Sequence, residues 1–339
     1  MAPLRWLTDP PSAARVAAGI RRRWQQRPVW PRRWRPRGQH VVLLYHRIAD
    51  VDQADDPGGM VVPPELFRQH MTALRDWFDL VPAREVLAPH ERPTAAVTLD
   101  DGYLDNLEQA VPLLRQLGVP ATFFIVADAL QPDPPEYWWD RLEHLVLEPG
   151  PGADRVRVTA GRRVLELDLA TRSSAVQAYR DLSAVLQRQG HGAAVQALTT
   201  LEAARPRPQS CARHRRLSAE QVRALAEEPL FDVGSHTCTH SALAALPRQV
   251  SREELTRSRQ RLADLLGEAP ELVAYPYGSV GAVVRRNAGD ARSAGYRAAF
   301  TNVAGPVEGS PAYAVPRITV GRWSVEQLHA AVTAFRRPE

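Results

Sequence analysis

Two adjacent aspartates, Asp100 and Asp101 in Thr98-Leu99-Asp100-Asp101-Gly102-Tyr103, close the apolar stretch Ala95-Ala96-Val97-Thr98-Leu99. Carboxylates crowded where a buried strand meets a loop repel each other, and desolvation pushes at least one towards protonation. A bound cation removes that conflict. The segment His236-Thr237-Cys238-Thr239-His240 offers two neutral ligands four residues apart. One aspartate and two histidines make a three-ligand set that leaves a coordination position open for water or substrate. The other aspartate is then free to take a proton from that water. Each motif alone has a plainer reading: Asp-Asp-Gly is a common turn, and histidines at i and i+4 can share a helix face. Together, each placed directly after a strand-like run, they favour a metal site.

Residues so far apart in sequence need a fold that brings them to one address. Strand-like runs fall at 41–45, 95–99, 121–126, 231–235, 271–275, 297–301 and 314–320. Amphipathic segments alternate with them, at Pro64–Trp77 and at 104–117, 218–227, 251–266, 282–294 and 324–335. Three open on capping-box pairs, Ser218 with Gln221, Ser251 with Glu254 and Ser324 with Gln327. Strands alternating with helices predict a parallel sheet covered on its outer face, and this many units predict an α/β barrel. His46 follows the first strand, Asp100 and Asp101 the next, His236 the run 231–235, and Tyr277 the run 271–275. In such a barrel the C-terminal strand ends open on a single face, where active sites are built.

The stretch 136–216 interrupts this rhythm with a β-hairpin pattern around Ala160-Gly161-Arg162 and helical patterns at 171–189 and 192–204. It reads as an α/β insertion placed as a lid over one face of a barrel spanning 40–339. Residues 1–39 read as an irregular basic tail, in which Pro10, Pro11, Pro28, Pro31 and Pro36 interrupt arginines interleaved with Trp6, Trp24, Trp30 and Trp34. The proline content favours a poorly packed extension. The Arg/Trp mixture gives a second reading, peripheral contact with an anionic membrane surface. No nucleic-acid motif accompanies the charge, so no nucleic-acid partner is expected. The chain has no lysine, and its net charge of +5 comes from arginines crowded into the tail, the remainder being close to balanced. Cys211 and Cys238 are too few for a disulfide framework. The N-terminus lacks the apolar core of a secretory signal, and no run is long enough to span a bilayer, so a cytoplasmic location is expected.

These motifs together resemble the polysaccharide deacetylase family, also called NodB-homology or carbohydrate esterase family 4. Thr98-Leu99-Asp100-Asp101-Gly102 is similar to its first motif, His236 to His240 to its second, and Ala274-Tyr275-Pro276-Tyr277-Gly278 to its third, Arg-x-Pro-Tyr-Gly. The resemblance implies a deformed (β/α)7-type barrel and a metal-dependent hydrolase that removes N-acetyl groups from amino sugars of a polysaccharide or glycan precursor. It implies Asp100 as general base, and Asp101, His236 and His240 as ligands of a divalent metal, usually zinc. Backbone near Tyr277 would bind the oxyanion, with Pro276 and Trp139 on the substrate side. Trp138 and Trp139 have a second reading as anchors of the insertion. Two departures stand out. Ala274 occupies the place of the arginine that pairs with the base, and no late Leu-x-His motif is found around Ile318-Thr319-Val320. Val41-Val42-Leu43-Leu44-Tyr45-His46 resembles a branch with an early Tyr-His segment, which assigns the general acid to His46. The site chemistry does not name the acyl group. A metal-dependent amidase or esterase on another acyl substrate, and a non-catalytic carbohydrate-binding barrel, therefore stay open.

Overall fold

The computed structural model describes residues 12–25 and 40–335, apart from 133, 135, 149–150, 190, 208–210, 280 and 284. Seven parallel strands form one curled sheet: β1 (Val41–Tyr45), β2 (Thr94–Asp100), β3 (Ala121–Ile125), β4 (Phe231–Ser235), β5 (Leu272–Ala274), β6 (Ala298–Phe300) and β7 (Ile318–Thr319). Their order is β6-β5-β4-β3-β2-β1-β7, with a short strand at Asp79–Leu80 also pairing onto β2. The gap between β6 and β7 is bridged just before β7, where Val315 N–H donates to Ala299 (2.9 Å) and Thr301 N–H donates to Val315 (2.8 Å). The α/β barrel expected from the alternating pattern is therefore present, with the seven strands of the deformed form that the family resemblance implies.

Period-two alternation decides which side chains enter the barrel. Val41, Leu43, Tyr45, Val97, Leu99, Phe123 and Ile125 join the main core under the outer helices. Val42, Ala96, Phe124, Ala274, Phe300 and Val315 fill the lumen. On β2 the inward set continues from Ala96 through Thr98 to Asp100, which carries a carboxylate to the mouth of the lumen. Gly234 is needed on β4 because a Cβ there would lie 2.5 Å from the Phe124 ring.

The outer layer contains α2 (Pro64–Trp77), α3 (Val111–Leu117), α7 (Ala219–Ala226), α8 (Arg248–Leu266), α9 (Arg285–Ser293) and α10 (Val325–Val332). Helix α3 is preceded by a wide π-type turn at Asn106–Ala110. Ser218 and Ser324 form the expected capping boxes. Ser251 does not. Helix α8 starts three residues earlier behind Pro247, whose φ of −53° suits a helix entry. Ser251 is consequently buried inside the helix and accepts a hydrogen bond from Asn287 (2.9 Å), and Glu254 is released from any capping role. The tail departs from the irregular reading as well: Ala13–Gln25 form α1, which packs against α10 with Val16 and Ala17 buried in the main core. Residues 1–11 and 26–39 of that tail lie outside the described residues. Among the described residues no helix is long and apolar enough to cross a membrane.

The insertion contains α4 (Trp138–Leu147), a hairpin of Arg155–Ala160 with Arg163–Asp168, α5 (Arg172–Leu186) and α6 (His191–Ala204). Its hydrophobic cluster takes in Tyr103 and Val126 from the strand ends and packs on Tyr277, so it sits on the site-bearing face of the barrel. A buried charge network ties α4 to the returning chain. His214 lies between Glu136 (3.6 Å) and Glu143 (3.4 Å), and His144 reaches Glu148 (2.9 Å). Burial alone would lower the His214 imidazole, but Glu136 and Glu143 outweigh it and push it up to about 10. The folded protein thus keeps a proton that the unfolded chain loses near pH 6.5. That stabilisation is complete below pH 6.5 and is lost as pH rises towards 10. Urea unfolding at pH 7.5 and 9.5 is expected to show wild-type stability falling by more than that of His214→Gln. Equal slopes would disprove the ion-pair account.

Candidate active site

Four non-glycine residues among those described have positive φ, namely Asp101 (73°), Thr237 (66°), His240 (56°) and Tyr277 (60°). All four belong to the three motifs. Such backbone costs on the order of 1–3 kcal/mol per residue and persists where the surroundings over-determine it. After β2, the left-handed turn at Asp101 and Gly102 takes the second carboxylate out of the strand's alternation, so that both aspartates reach His236, whose Nε2 lies 3.6 Å from Asp100 Oδ2 and 3.5 Å from Asp101 Oδ1. Asp100 stays in the lumen and Asp101 turns towards the histidines.

Asp101, His236 and His240 are all buried, and one donor atom from each lies within 4.8 Å of the others. Asp101 Oδ1 is 3.5 Å from His236 Nε2 and 3.2 Å from His240 Nε2. That same Oδ1 is buried without a hydrogen-bond partner. An orphaned carboxylate oxygen facing two imidazole nitrogens is a donor set that suits a divalent cation. Burial would raise the Asp101 carboxyl, but His240, His46 and His236 together hold it below the usual carboxylate range. Burial, only partly offset by Asp100, pushes His236 down to about 4, so that ring is neutral and able to ligate at pH 7. Its Nδ1 is 2.8 Å from the Ala274 carbonyl, which fixes Nδ1 as the protonated nitrogen and turns Nε2 to the site. Cys238, between the two histidines, is pushed up to about 12 by burial and then by Glu254, so it is a neutral thiol.

His240 has no hydrogen bond at Nδ1. Its ring is held by packing instead, with Trp139 at 4.5 Å and Tyr277 at 4.8 Å between ring centroids. The expected sugar-side placement of Trp139 is thereby corrected. Only 7% of Trp139 is exposed, its faces are taken by Tyr137 and His240, and its Nε1 donates to Tyr103 Oη (2.7 Å). The anchor reading of the tryptophans fits better: Trp138 Nε1 donates to Tyr277 Oη (3.0 Å), and Tyr137 Oη donates to the Asp101 carbonyl (2.6 Å). The start of α4 therefore braces two motifs at once. Pro276 is buried and Tyr277 half-buried. His46 is half-buried after β1, within electrostatic reach of Asp101.

The arginine missing at Ala274 is replaced from another strand. Arg317, immediately before β7, donates from Nη1 to Asp100 Oδ1 and from Nη2 to Asp100 Oδ2, both at 2.7 Å, and both side chains are fully buried. The guanidinium also donates to Thr98 Oγ1 (3.2 Å), Asn302 Oδ1 (2.7 Å) and the Thr301 carbonyl (3.2 Å), and it lies over the Phe124 ring. Its placement between Pro316 and a two-residue strand gives no periodic signal, and 43 arginines in the chain offer no means of singling it out. Asn302 links this pair to the third motif, since its N–H donates to the Gly278 carbonyl (2.9 Å). Position 278 must be glycine, because a Cβ would lie 2.4 Å from the Asn302 nitrogen.

A sequence model of the family described as polysaccharide deacetylase matches residues 88–148 and 168–299, more than half of the chain. The chain belongs to the polysaccharide deacetylase family. A Bacillus subtilis (strain 168) protein, YxkH, that carries a polysaccharide deacetylase name is 31% identical over 96 residues, 26% of this chain and 32% of that relative. The aligned part thus spans about a third of the curated relative's length. Among solved structures, the Streptococcus pyogenes deacetylase PplD in complex with acetate matches with a TM-score of 0.55 at 15% identity, over 86% of this chain and 97% of its own. IcaB from Ammonifex degensii matches with a TM-score of 0.55 at 18% identity, over 88% and 98% of the two chains. At these identities the structural likeness shows the barrel.

Proposed function

We propose that this deacetylase removes N-acetyl groups from amino sugars of a polysaccharide or glycan precursor. The observation that carries the reading is the convergence of Asp101, His236 and His240 beside an Asp100 carboxylate locked by Arg317. Asp101, His236 and His240 would hold a divalent cation, and a set of two imidazoles and one carboxylate suits zinc. When bound, such a cation supplies Lewis acidity to the acyl oxygen and acidifies water.

The remaining work falls to the chain's own groups. Asp100 accepts the proton of the attacking water, its orientation fixed by the bidentate guanidinium. Backbone N–H at Tyr277 meets the developing oxyanion, and the positive φ there turns the loop towards the site. His46 in its protonated form donates to the departing nitrogen, a poor leaving group without that proton.

The test is acetate release from N-acetylhexosamine oligomers by protein of known metal content, with O-acetylated and other acylated substrates in parallel. Asp100→Asn and His46→Ala are each expected to cut release by about 10²- to 10⁴-fold. Turnover of esters without any N-acetylated sugar would refute the substrate class, and full turnover by His46→Ala would refute the assigned acid.

A further inference from the structure

The loop that presents both histidines runs beyond the end of β4, so most of its backbone polar groups need partners outside the sheet ladder. Three of them are met at the end of β3 and just beyond it. His236 N–H donates to the Ile125 carbonyl (2.8 Å), Ala127 N–H to the Thr237 carbonyl (2.9 Å), and Asp128 N–H to the Cys238 carbonyl (3.1 Å). Thr237 N–H donates to Ser235 Oγ (3.3 Å). The N–H groups of Cys238 and Thr239 converge instead on a single oxygen, Glu254 Oε2, each at 2.9 Å. Glu254 Oε1 accepts from the Thr239 hydroxyl at 2.8 Å. Glu254 is 8% exposed and sits on α8, outside all three motifs.

We infer that Glu254 is a positioning residue for the metal-ligand loop. The reasons are geometric. Thr237 and His240 hold left-handed backbone on either side of the two N–H groups that Glu254 collects. Left-handed backbone at non-glycine residues relaxes unless its neighbours prevent it. Charge-assisted hydrogen bonds to backbone N–H are among the stronger constraints available. The carboxylate therefore fixes the rise of the chain between His236 and His240, and with it the separation of the two ring nitrogens. The inference rests on the proposed metal reading of the same site.

Zinc affinity, measured by competition with a chromogenic chelator on full-length protein, tests it. Glu254→Ala is expected to weaken zinc binding about 10- to 100-fold, the usual effect of removing a group that orients metal ligands. Glu254→Gln is expected to stay within about threefold of wild type. Its amide oxygen can take both N–H groups, and its amide nitrogen can donate to Thr239 Oγ1, whose hydroxyl turns to Ser241 (2.8 Å). Ser251→Ala, buried on the same helix and bonded to Asn287, is the control for general destabilisation and should leave zinc affinity unchanged. If Glu254→Ala does not fold, Thr239→Val removes one of the three contacts, and an unchanged zinc affinity there overturns the assignment. Glu254→Ala binding zinc as tightly as wild type, or Ser251→Ala losing as much, also overturns it. A wild type that binds no zinc removes the metal reading itself, a failure distinct from these.

Discussion

Arg317→Met is expected to destabilise the protein by about 3–5 kcal/mol and to lower turnover by about 10²- to 10⁴-fold. Asp100 and Arg317 are both fully buried, so taking away the guanidinium strands a carboxylate with no solvent to turn to. Against a total stability of about 5–15 kcal/mol, that is a large fraction of what keeps the barrel folded. The reverse substitution is expected to be milder. Asp100→Asn leaves Arg317 bonded to Thr98, Asn302 and the Thr301 carbonyl and packed over Phe124, so the buried charge keeps partners. Both changes abolish an oriented base, however, and both should lose turnover. The double variant Asp100→Asn/Arg317→Met should recover part of the lost stability and none of the activity, giving a large coupling in a double-mutant cycle. Urea unfolding and acetate release check the pair of effects. Arg317→Met with wild-type stability and turnover within tenfold of wild type would show that Asp100 is held by something else.

Why the sequence disclosed the ligands but not this arginine is a matter of how each signal is encoded. The aspartate pair and the paired histidines are local, and each follows a strand whose apolar run is visible on its own. Helix α2 is bounded as its amphipathic pattern predicts, Pro64–Trp77, because a proline entry and an uninterrupted apolar stripe are both local features. Arg317 meets Asp100 across 217 positions, through the pairing of β7 on β1 and of β1 on β2. Nothing in its own neighbourhood marks it. Glu254 was hidden differently: its spacing from Ser251 matches a capping box, and only the earlier start of α8 frees it for the ligand loop. Trp139 was legible as an aromatic near the site, but its direction depends on Tyr137 and Tyr103, which the insertion and β2 bring together. The arginines of α1 and the prolines that flank it mask the short apolar contact through Val16 and Ala17 that seats the helix on α10.

Zinc is expected to stabilise the wild-type protein and to leave His236→Ala unmoved. A ligand that binds only the folded state adds about 4 kcal/mol at a thousandfold excess over its dissociation constant, a shift of several degrees in Tm. Asp100→Asn should keep most of that shift while losing turnover, since both Asp100 oxygens are taken up by Arg317 at 2.7 Å, Oδ2 standing off at 3.6 Å from His236 Nε2. Asp101→Asn should lose both, because Asp101 Oδ1 is the oxygen left without a partner between the imidazoles. Acidity supplies a second, metal-free handle on the same residues. His236 is pushed down to about 4 by burial, whereas an unfolded histidine titrates near 6.5. Between those values the unfolded chain binds the extra proton, so stability rises with pH across that window, by on the order of 3 kcal/mol in all. Below pH 4 the depressed Asp101 carboxyl extends the loss, since the unfolded chain takes up that proton first. Metal-free His236→Ala should therefore show a flatter profile from pH 4 to 6.5 than metal-free wild type. Zinc that shifts the Tm of His236→Ala as much as that of wild type would place the cation elsewhere, and parallel acid profiles would mean that His236 is not the buried neutral imidazole the site requires.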